Sequence, residues 1–272
     1  MTYLDRIIKH KKQEVAHRAS LYPEKLLKQS VYFPTVPVSL SGYLLREDKT
    51  GIISEFKRAS PSAGALNTEA TVKDTTLAYM QAGSSALSIL TDEAFFNGSL
   101  KDLQTAREVN YCPILQKDFV VSPYQLIEAK SYGADAILLI AAVHSKTSLH
   151  QLHQLAMDTG LEVLIEIHNQ QEIDKLPTNA RLVGINARDL TSFRVSQKQQ
   201  LKLVNQLPSN VIPIAESGIH SAETLLTLKN AGYQGFLIGT RFMQEHHPGN
   251  ACKQFSRLLK RRKREVANEV AH

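Results

Sequence analysis

A single (β/α)8 TIM barrel with an N-terminal helical extension is the fold class this 272-residue sequence predicts, on three observations. Eight short apolar, β-branched runs recur along most of the chain, their starts separated by 35, 27, 22, 27, 19, 30 and 24 residues. Each gap holds roughly a strand, a loop and a helix. The runs are apolar throughout rather than alternating, as strands are when helices cover a parallel sheet. No GxGxxG follows an early run, which argues against an open dinucleotide-binding sheet.

The chain opens with an amphipathic helix over Tyr3 to Ala19, then a loop marked by Pro34 and Pro37. Residues 1–50 are too few for an independent domain and are expected to pack on the barrel. Residues 51–256 form the barrel and 257–272 a basic C-terminal tail. The strands are read as GIISEF from Gly51, ALSIL from Ala86, PILQKDF from Pro113, DAILLI from Asp135, EVLIEI from Glu162, RLVGIN from Arg181, VIPIAES from Val211 and GFLIG from Gly235. Between them, Thr71 to Ala82 is helical and ends at Gly83, a natural residue just past a helix. Ser99 caps LKDLQTAREV, with Asp102 three residues on as half of a capping box. Ser122-Pro123 opens YQLIEAKSY, which stops at Gly133. Ser145 to Thr159 ends at Gly160, and Ser221 starts AETLLTLKNA, closed by Gly232. The weakest helix lies between Ile167 and Arg181 and carries Pro177.

Composition sets the class. With 43% hydrophobic and 21% charged residues the chain is globular, and its length suffices for a core without metal or disulfide staples. Cys112 and Cys252 have no CxxC spacing, which fits a reducing compartment; Cys112 reads as a buried small hydrophobe. The longest apolar stretch, Ala136 to Val143, is a strand and not a membrane span. No apolar signal segment opens the chain, so a cytoplasmic enzyme is expected. Of the net charge of +6, the run RLLKRRKRE (Arg257–Glu265) contributes +5. Without interleaved aromatics it reads as a solvated helix end better than as a nucleic-acid site. His246-His247 has no third ligand in sight and reads as a surface loop.

In this fold the active site forms at the C-terminal ends of the strands. Six runs end in polar groups: Glu55 and Lys57, Lys117 and Asp118, Glu166, Asn186 with Arg188 beyond it, Glu216 with Ser217, and Gly239 with Thr240. Glu55 and Lys57 are two apart and face one side of the strand. Any one of these reads equally well as a rim salt bridge. Together in a partly dry site they are costly unless they do something. The loops Ser217-Gly218-Ile219 and Gly239-Thr240 follow the strands after which this fold commonly binds phosphate, and Ser60-Pro61-Ser62 could add hydroxyls. A sugar phosphate is the expected substrate class.

The ordered motifs EFKRASPS (Glu55–Ser62), TDEAFFNGS (Thr91–Ser99), PILQKDFVVSPYQ (Pro113–Gln125), GADAILLI (Gly133–Ile140), LIEIH (Leu164–His168), GINARDL (Gly184–Leu190), AESGI (Ala215–Ile219) and FLIGTRFM (Phe236–Met243) resemble those of indole-3-glycerol phosphate synthase. The resemblance runs from about Tyr3 to Met243. It implies a carboxy-lyase that needs no cofactor and no metal. The reaction closes a ring in 1-(2-carboxyphenylamino)-1-deoxyribulose 5-phosphate, releasing CO2 and water. At matching positions it implies Lys117 as general acid, Glu166 as later base assisted by Glu55, and Lys57 as anchor for the carboxylate. Asn186, Arg188 and Glu216 would orient the substrate. Ser60, Ser217, Gly218, Gly239 and Thr240 would hold the phosphate, and Phe95, Phe96 and Phe119 would flank the anthranilate ring. Lys57 and Lys117 are expected to act on each other as second cations, lowering the lysine pKa toward that of a working acid. The sequence departs from the family pattern at Ser122, Ala187 and the pair Thr240-Arg241. Another phosphate-binding barrel, such as phosphoribosylanthranilate isomerase, would share the phosphate loops but not the EFK and KDF lysines. An RNA-binding role for the tail is the reading of another class. A monomer without membrane contact is expected.

Overall fold

The computed structural model describes residues 2–189 and 193–270, so Leu190 of the GINARDL motif lies outside the described residues. Eight parallel strands close on themselves in chain order. They are β1 (Ile52–Phe56), β2 (Ala86–Leu90), β3 (Ile114–Lys117), β4 (Ala136–Ile140), β5 (Glu162–Ile167), β6 (Leu182–Asn186), β7 (Ile212–Glu216) and β8 (Gly235–Ile238). Each falls within one of the eight apolar runs. β8 pairs with β1 through Phe236 opposite Ile52, which completes the ring.

The two-residue side-chain period divides each strand between two cores. Ile53, Leu115, Leu138, Leu164, Leu182, Ile214 and Leu237 point inward and fill the barrel. Ile52, Phe56, Leu87, Ile89, Ile137, Leu139, Ile165 and Val183 point outward and pack under the helices. The same inward parity carries Ile53 to Glu55, Leu115 to Lys117, Leu164 to Glu166 and Ile214 to Glu216. Aliphatic groups therefore fill the lower layers and polar groups most of the uppermost one, where Ile140 of β4 stands level with Glu166.

Outside lie α1 (Tyr3–Leu21), α2 (Val72–Gln81), α3 (Leu100–Val109), α4 (Tyr124–Ser131), α5 (Lys146–Asp158), α6 (Gln170–Ile173), α7 (Gln197–Val204), α8 (Ala222–Asn230) and α9 (Pro248–Val270). Thr71, Ser99, Ser145 and Ser221 each accept the backbone N–H three residues on, capping their helices. The expected capping box at Ser99 is only half made. The Asp102 carboxylate turns to the Arg58 guanidinium (2.6 and 3.0 Å), because a cation is a stronger partner than the cap amide. α7 was not read in the sequence: Ser196 caps it by accepting the Gln199 N–H, but the segment that follows is rich in glutamine and lysine. α6 is a single turn, as the proline in that stretch suggested.

The N-terminal extension touches both ends of the barrel. α1 buries Ile7, Lys11 and Val15. Its Arg18 makes a two-pronged pair with Glu128 of α4 at 2.9 Å for each bond. Past two short turns, Glu24–Leu27 and Leu40–Leu44, Leu40 and Leu44 join the inward-facing aliphatic core. There the backbone N–H groups of Val38 and Ser41 donate to Asp135 (2.7 Å) and Glu162 (2.9 Å), at the N-terminal ends of β4 and β5. The basic run, placed in the sequence within a C-terminal tail and read as a solvated helix end, is the second half of α9. That helix buries Cys252, Phe255 and Leu259 while Leu258 stays exposed. Among the described residues no helix is long and apolar enough to cross a membrane.

Candidate active site

The strand ends, the loops beyond them and the start of α1 enclose one cavity. Glu55, Lys57, Ser60, Phe96, Lys117, Phe119, Glu166, Asn186, Arg188, Glu216, Ser217, Gly218, Gly239 and Thr240 all line it. Phe95 does not. It turns onto α1, edge-on to Tyr3 (5.9 Å between centroids) and His10 (5.6 Å), because the short turn Glu93–Phe96 aims consecutive side chains apart. The aromatic wall is Phe96 with Phe119, 6.0 Å apart, over the aliphatic floor of Leu138, Ile140 and Leu237. Asp118 leaves the lysine beside it and binds Lys11 (3.0 Å) and Thr91 (2.6 Å).

At the centre, Lys117 Nζ donates to Glu166 Oε2 (2.7 Å) and Glu216 Oε2 (2.9 Å). Asn186 Nδ2 donates to the other Glu166 oxygen at 3.1 Å. A separate pair, Lys57 with Glu55 at 2.6 Å, stands on β1 and the residue after it. Two glycines make room for the carboxylates. A Cβ on Gly184 would overlap Glu216 Oε1, and one on Gly239 would overlap Glu55 Oε1.

The ionisation of Lys117 differs from the expectation. Burial on its own would lower it, but Glu166, Glu216 and Glu55 outweigh burial and raise it above the ordinary lysine value. Lys57 does not serve Lys117 as a second cation, because Lys117 meets the carboxylates of Glu166 and Glu216 instead. Glu166 and Glu216 split apart. Burial pushes both up, but Lys117 and His168 hold Glu166 well below the usual range. Glu216 is pushed up to about 7 by burial, with the Glu166 charge adding to it against Lys117. Its Oε1 has no hydrogen-bond partner. Two carboxyls driven apart in this way are suited to different roles.

The loops after β7 and β8 supply backbone. Ser217 (φ 67°) and Gly218 (φ 75°) are consecutively left-handed, a conformation strained for serine and held by the Gln197 side chain on the Gly218 carbonyl (3.0 Å). Gly239 leads into the turn Thr240–Met243, where Arg241 is paired with Glu245 at 2.8 Å. Ser60 Oγ accepts the Ala63 N–H (3.2 Å) in the small hairpin of Ala59–Ser60 and Gly64–Ala65.

Some lining residues had no reading in the sequence. Tyr3, Leu4 and Ile7 share one face of α1, and that spacing was the only signal that they could form a wall. Phe193 packs edge-on to Tyr3 at 5.5 Å. His168 sits behind Glu166, its Nε2 3.1 Å from Oε1.

The family model for indole-3-glycerol phosphate synthase matches residues 4–255. The chain is 40% identical over 256 residues to the indole-3-glycerol phosphate synthase of Bacteroides thetaiotaomicron, covering 94% of this chain and 98% of the relative. It is 38% identical to that of Carboxydothermus hydrogenoformans, covering 92% and 98%. Among solved structures it resembles a mutant tryptophan synthase alpha-subunit from Pyrococcus furiosus, with TM-score 0.59 and 15% identity over 78% of this chain and 98% of that one. A thiamine phosphate pyrophosphorylase from the same organism aligns with TM-score 0.58 and 14% identity, over 82% and 98%. Those two likenesses show the fold alone.

Proposed function

The chain belongs to the indole-3-glycerol phosphate synthase family, and from that premise we propose how its rim divides the ring closure among named residues. The observation that carries the division is Lys117 held between two buried glutamates, in the same cavity as the separate Lys57–Glu55 pair.

The phosphate sits against Ser217, Gly218, Gly239 and Thr240 with Ser60, where backbone N–H groups and hydroxyls can converge. The anthranilate ring lies against Phe96 and Phe119. Lys57 meets the substrate carboxylate and Arg188 orients it. These contacts bring the carboxylate-bearing ring carbon against the ketone. As that carbon attacks, the ketone oxygen gains electrons and takes a proton from Lys117 Nζ. Loss of CO2 restores the aromatic ring. Glu166 then removes a proton from the carbon beside the ring nitrogen as the hydroxyl departs; with Glu55 assisting, that proton joins the hydroxide to leave as water, and the indole forms. Asn186 keeps Glu166 in place, and Glu216 holds Lys117 on the other side. An acid above its ordinary pKa transfers its proton poorly until the geometry improves. The incoming substrate carboxylate competes for Lys57, and the developing alkoxide competes with Glu166 and Glu216 for the Lys117 proton.

The test is to mix purified protein with the carboxyphenylamino deoxyribulose phosphate and follow indole fluorescence. A protein-dependent rise is expected. Lys117→Ala should lower kcat by at least about 10²–10⁴-fold with KM changed little, the range for a general acid. Near-normal kcat in that variant removes Lys117 from the role.

A further inference from the structure

One buried imidazole at this site has no place in the scheme above. His168 follows β5 directly, its side chain is 11% exposed, and it does not line the cavity. It stands between two carboxylates. Its Nε2 is 3.1 Å from Glu166 Oε1, and its Nδ1 is 3.6 Å from Glu172 Oε2. Glu172 is itself held, accepting the His168 backbone N–H (2.7 Å) and the Asn169 side-chain amide (2.8 Å). From α7, the side chain of Gln199 is neutral and donates to the His168 carbonyl at 2.6 Å. Neither ring nitrogen has a well-aligned hydrogen-bond acceptor, so what faces the ring is negative charge on both sides.

We propose that His168 is a positioning residue that keeps Glu166 an anion, aimed into the cavity, while Lys117 gives up its proton, with Glu172 holding the imidazole in place. The inference rests on Glu166 being the base of the later step.

The reason is a competition for one proton. Before reaction the bases nearest Lys117 Nζ are Glu166 and Glu216, at 2.7 and 2.9 Å. In the first step an N–H bond of Lys117 breaks and an O–H bond forms on the ketone oxygen. The carbonyl π pair moves to that oxygen as the ring carbon bonds to its carbon. Lys117 is left as a neutral amine, and Glu166 has then lost its main cation. A buried carboxylate without a cation binds protons strongly. Alone, Glu166 would draw the Lys117 proton to itself and reach the later step already protonated. An imidazolium at 3.1 Å keeps its proton affinity low throughout. Burial pulls the imidazole toward neutrality, but the two carboxylates outweigh it and push it up to about 10. It is therefore charged at the pH where the reaction runs. Asn186 alone, a neutral donor to the same Glu166 oxygen, cannot supply this.

The experiment compares the wild type with His168→Gln and His168→Asn by the pH dependence of kcat and KM in the fluorescence assay. Without the imidazolium, Glu166 needs a higher pH to stay ionised. The acidic limb of kcat should move up by about one pH unit, with kcat at pH values below the wild-type limb down about tenfold and KM within about threefold. Activity should recover toward alkaline pH. An acidic limb that coincides with the wild type, even with a lower kcat, reduces His168 to packing and overturns the inference. Histidine-ring NMR of the wild type gives an answer independent of any variant. The His168 ring should stay protonated from about pH 6 to 8.5, and titration below about 7 overturns the inference. Glu166→Gln in the same assay separates the two readings. If it is inactive while His168→Gln has an unmoved profile, the inference alone fails. If it retains turnover, Glu166 is not the base and both fail.

Discussion

Lys11 is a lysine with no solvent-exposed surface, and replacing it is expected to unlock the N-terminal extension from the barrel. Its Nζ lies 2.8 Å from Asp92, 3.0 Å from Asp118 and 3.0 Å from Glu14. Asp92 and Asp118 are buried as fully as Lys11 itself. Lys11→Met keeps the volume and removes the charge, leaving two carboxylates buried at the ends of β2 and β3. Removing one partner from a buried ion pair costs about 3–5 kcal/mol. At about 2.1 cal/mol/K per residue, 272 residues unfold with about 0.57 kcal/mol/K, so Tm should fall by about 5–9 °C at neutral pH. The sign with pH follows from Asp118. Burial would raise its pKa, but Lys11, Thr91 and the Phe119 N–H hold it below the ordinary value. It thus contributes stability above the ordinary carboxyl pKa, and that contribution is lost as pH falls through the lowered value. In the variant Asp118 takes up a proton at higher pH, so the deficit should narrow between about pH 7.5 and 4. Scanning calorimetry at those two pH values measures both effects. Adding Asp92→Asn and Asp118→Asn to Lys11→Met should recover most of the loss. A Tm within about 2 °C of wild type at pH 7.5, or a deficit of equal size at both pH values, would refute the reasoning.

Three further outcomes are expected. Gly184→Ala should push Glu216 off Lys117 without altering any ionisable group; kcat should fall by about 10²-fold, the order for a displacement of about 1 Å, and an unchanged kcat would show that Glu216 has no part in holding the acid. Glu216→Gln should cost activity and add stability at alkaline pH. Because Glu216 is raised from 4.5 to about 7, its contribution is full below the ordinary value and is lost as pH rises through about 7. The variant should therefore melt a few degrees above wild type at pH 8 and no higher at pH 5; equal melting at both pH values counts against the raised carboxyl. Arg18→Met should leave Glu128 of α4 buried without its two-pronged partner and lower Tm by several degrees, with no change in KM; an unaffected Tm means the pair contributes nothing net.

The barrel was legible because each strand is a local apolar run and most of the covering helices carry a serine or threonine cap, a terminal glycine or both. Those signals act over a few residues and need no tertiary contact. The strand-end residues were legible for a related reason: a charge closing an apolar run stands out, and the fold class says which end of the run faces the site. α7 was missed because it buries only Gln200, Leu203 and Val204, too narrow an apolar face to show as a period.

The sequence by itself determined which residues reach the mouth of the barrel, since the period of two along a strand carries Leu115 to Lys117 and Leu164 to Glu166. Tertiary structure decided what each of them meets. Lys117 and Lys57 were expected to face each other as cations, but closure of the ring sets Glu166 and Glu216 beside one lysine and Glu55 beside the other, and Coulomb attraction at under 3 Å outweighs burial. Phe95 was read with Phe96 as ring-binding, yet only the position of α1 shows that one turns to Tyr3 and the other to the cavity. Lys11 carries its charge in contacts with Asp92 and Asp118, 81 and 107 positions away along the chain. Adjacency of that kind is set by how the ring closes and where the extension lies, and no run of neighbouring residues encodes it.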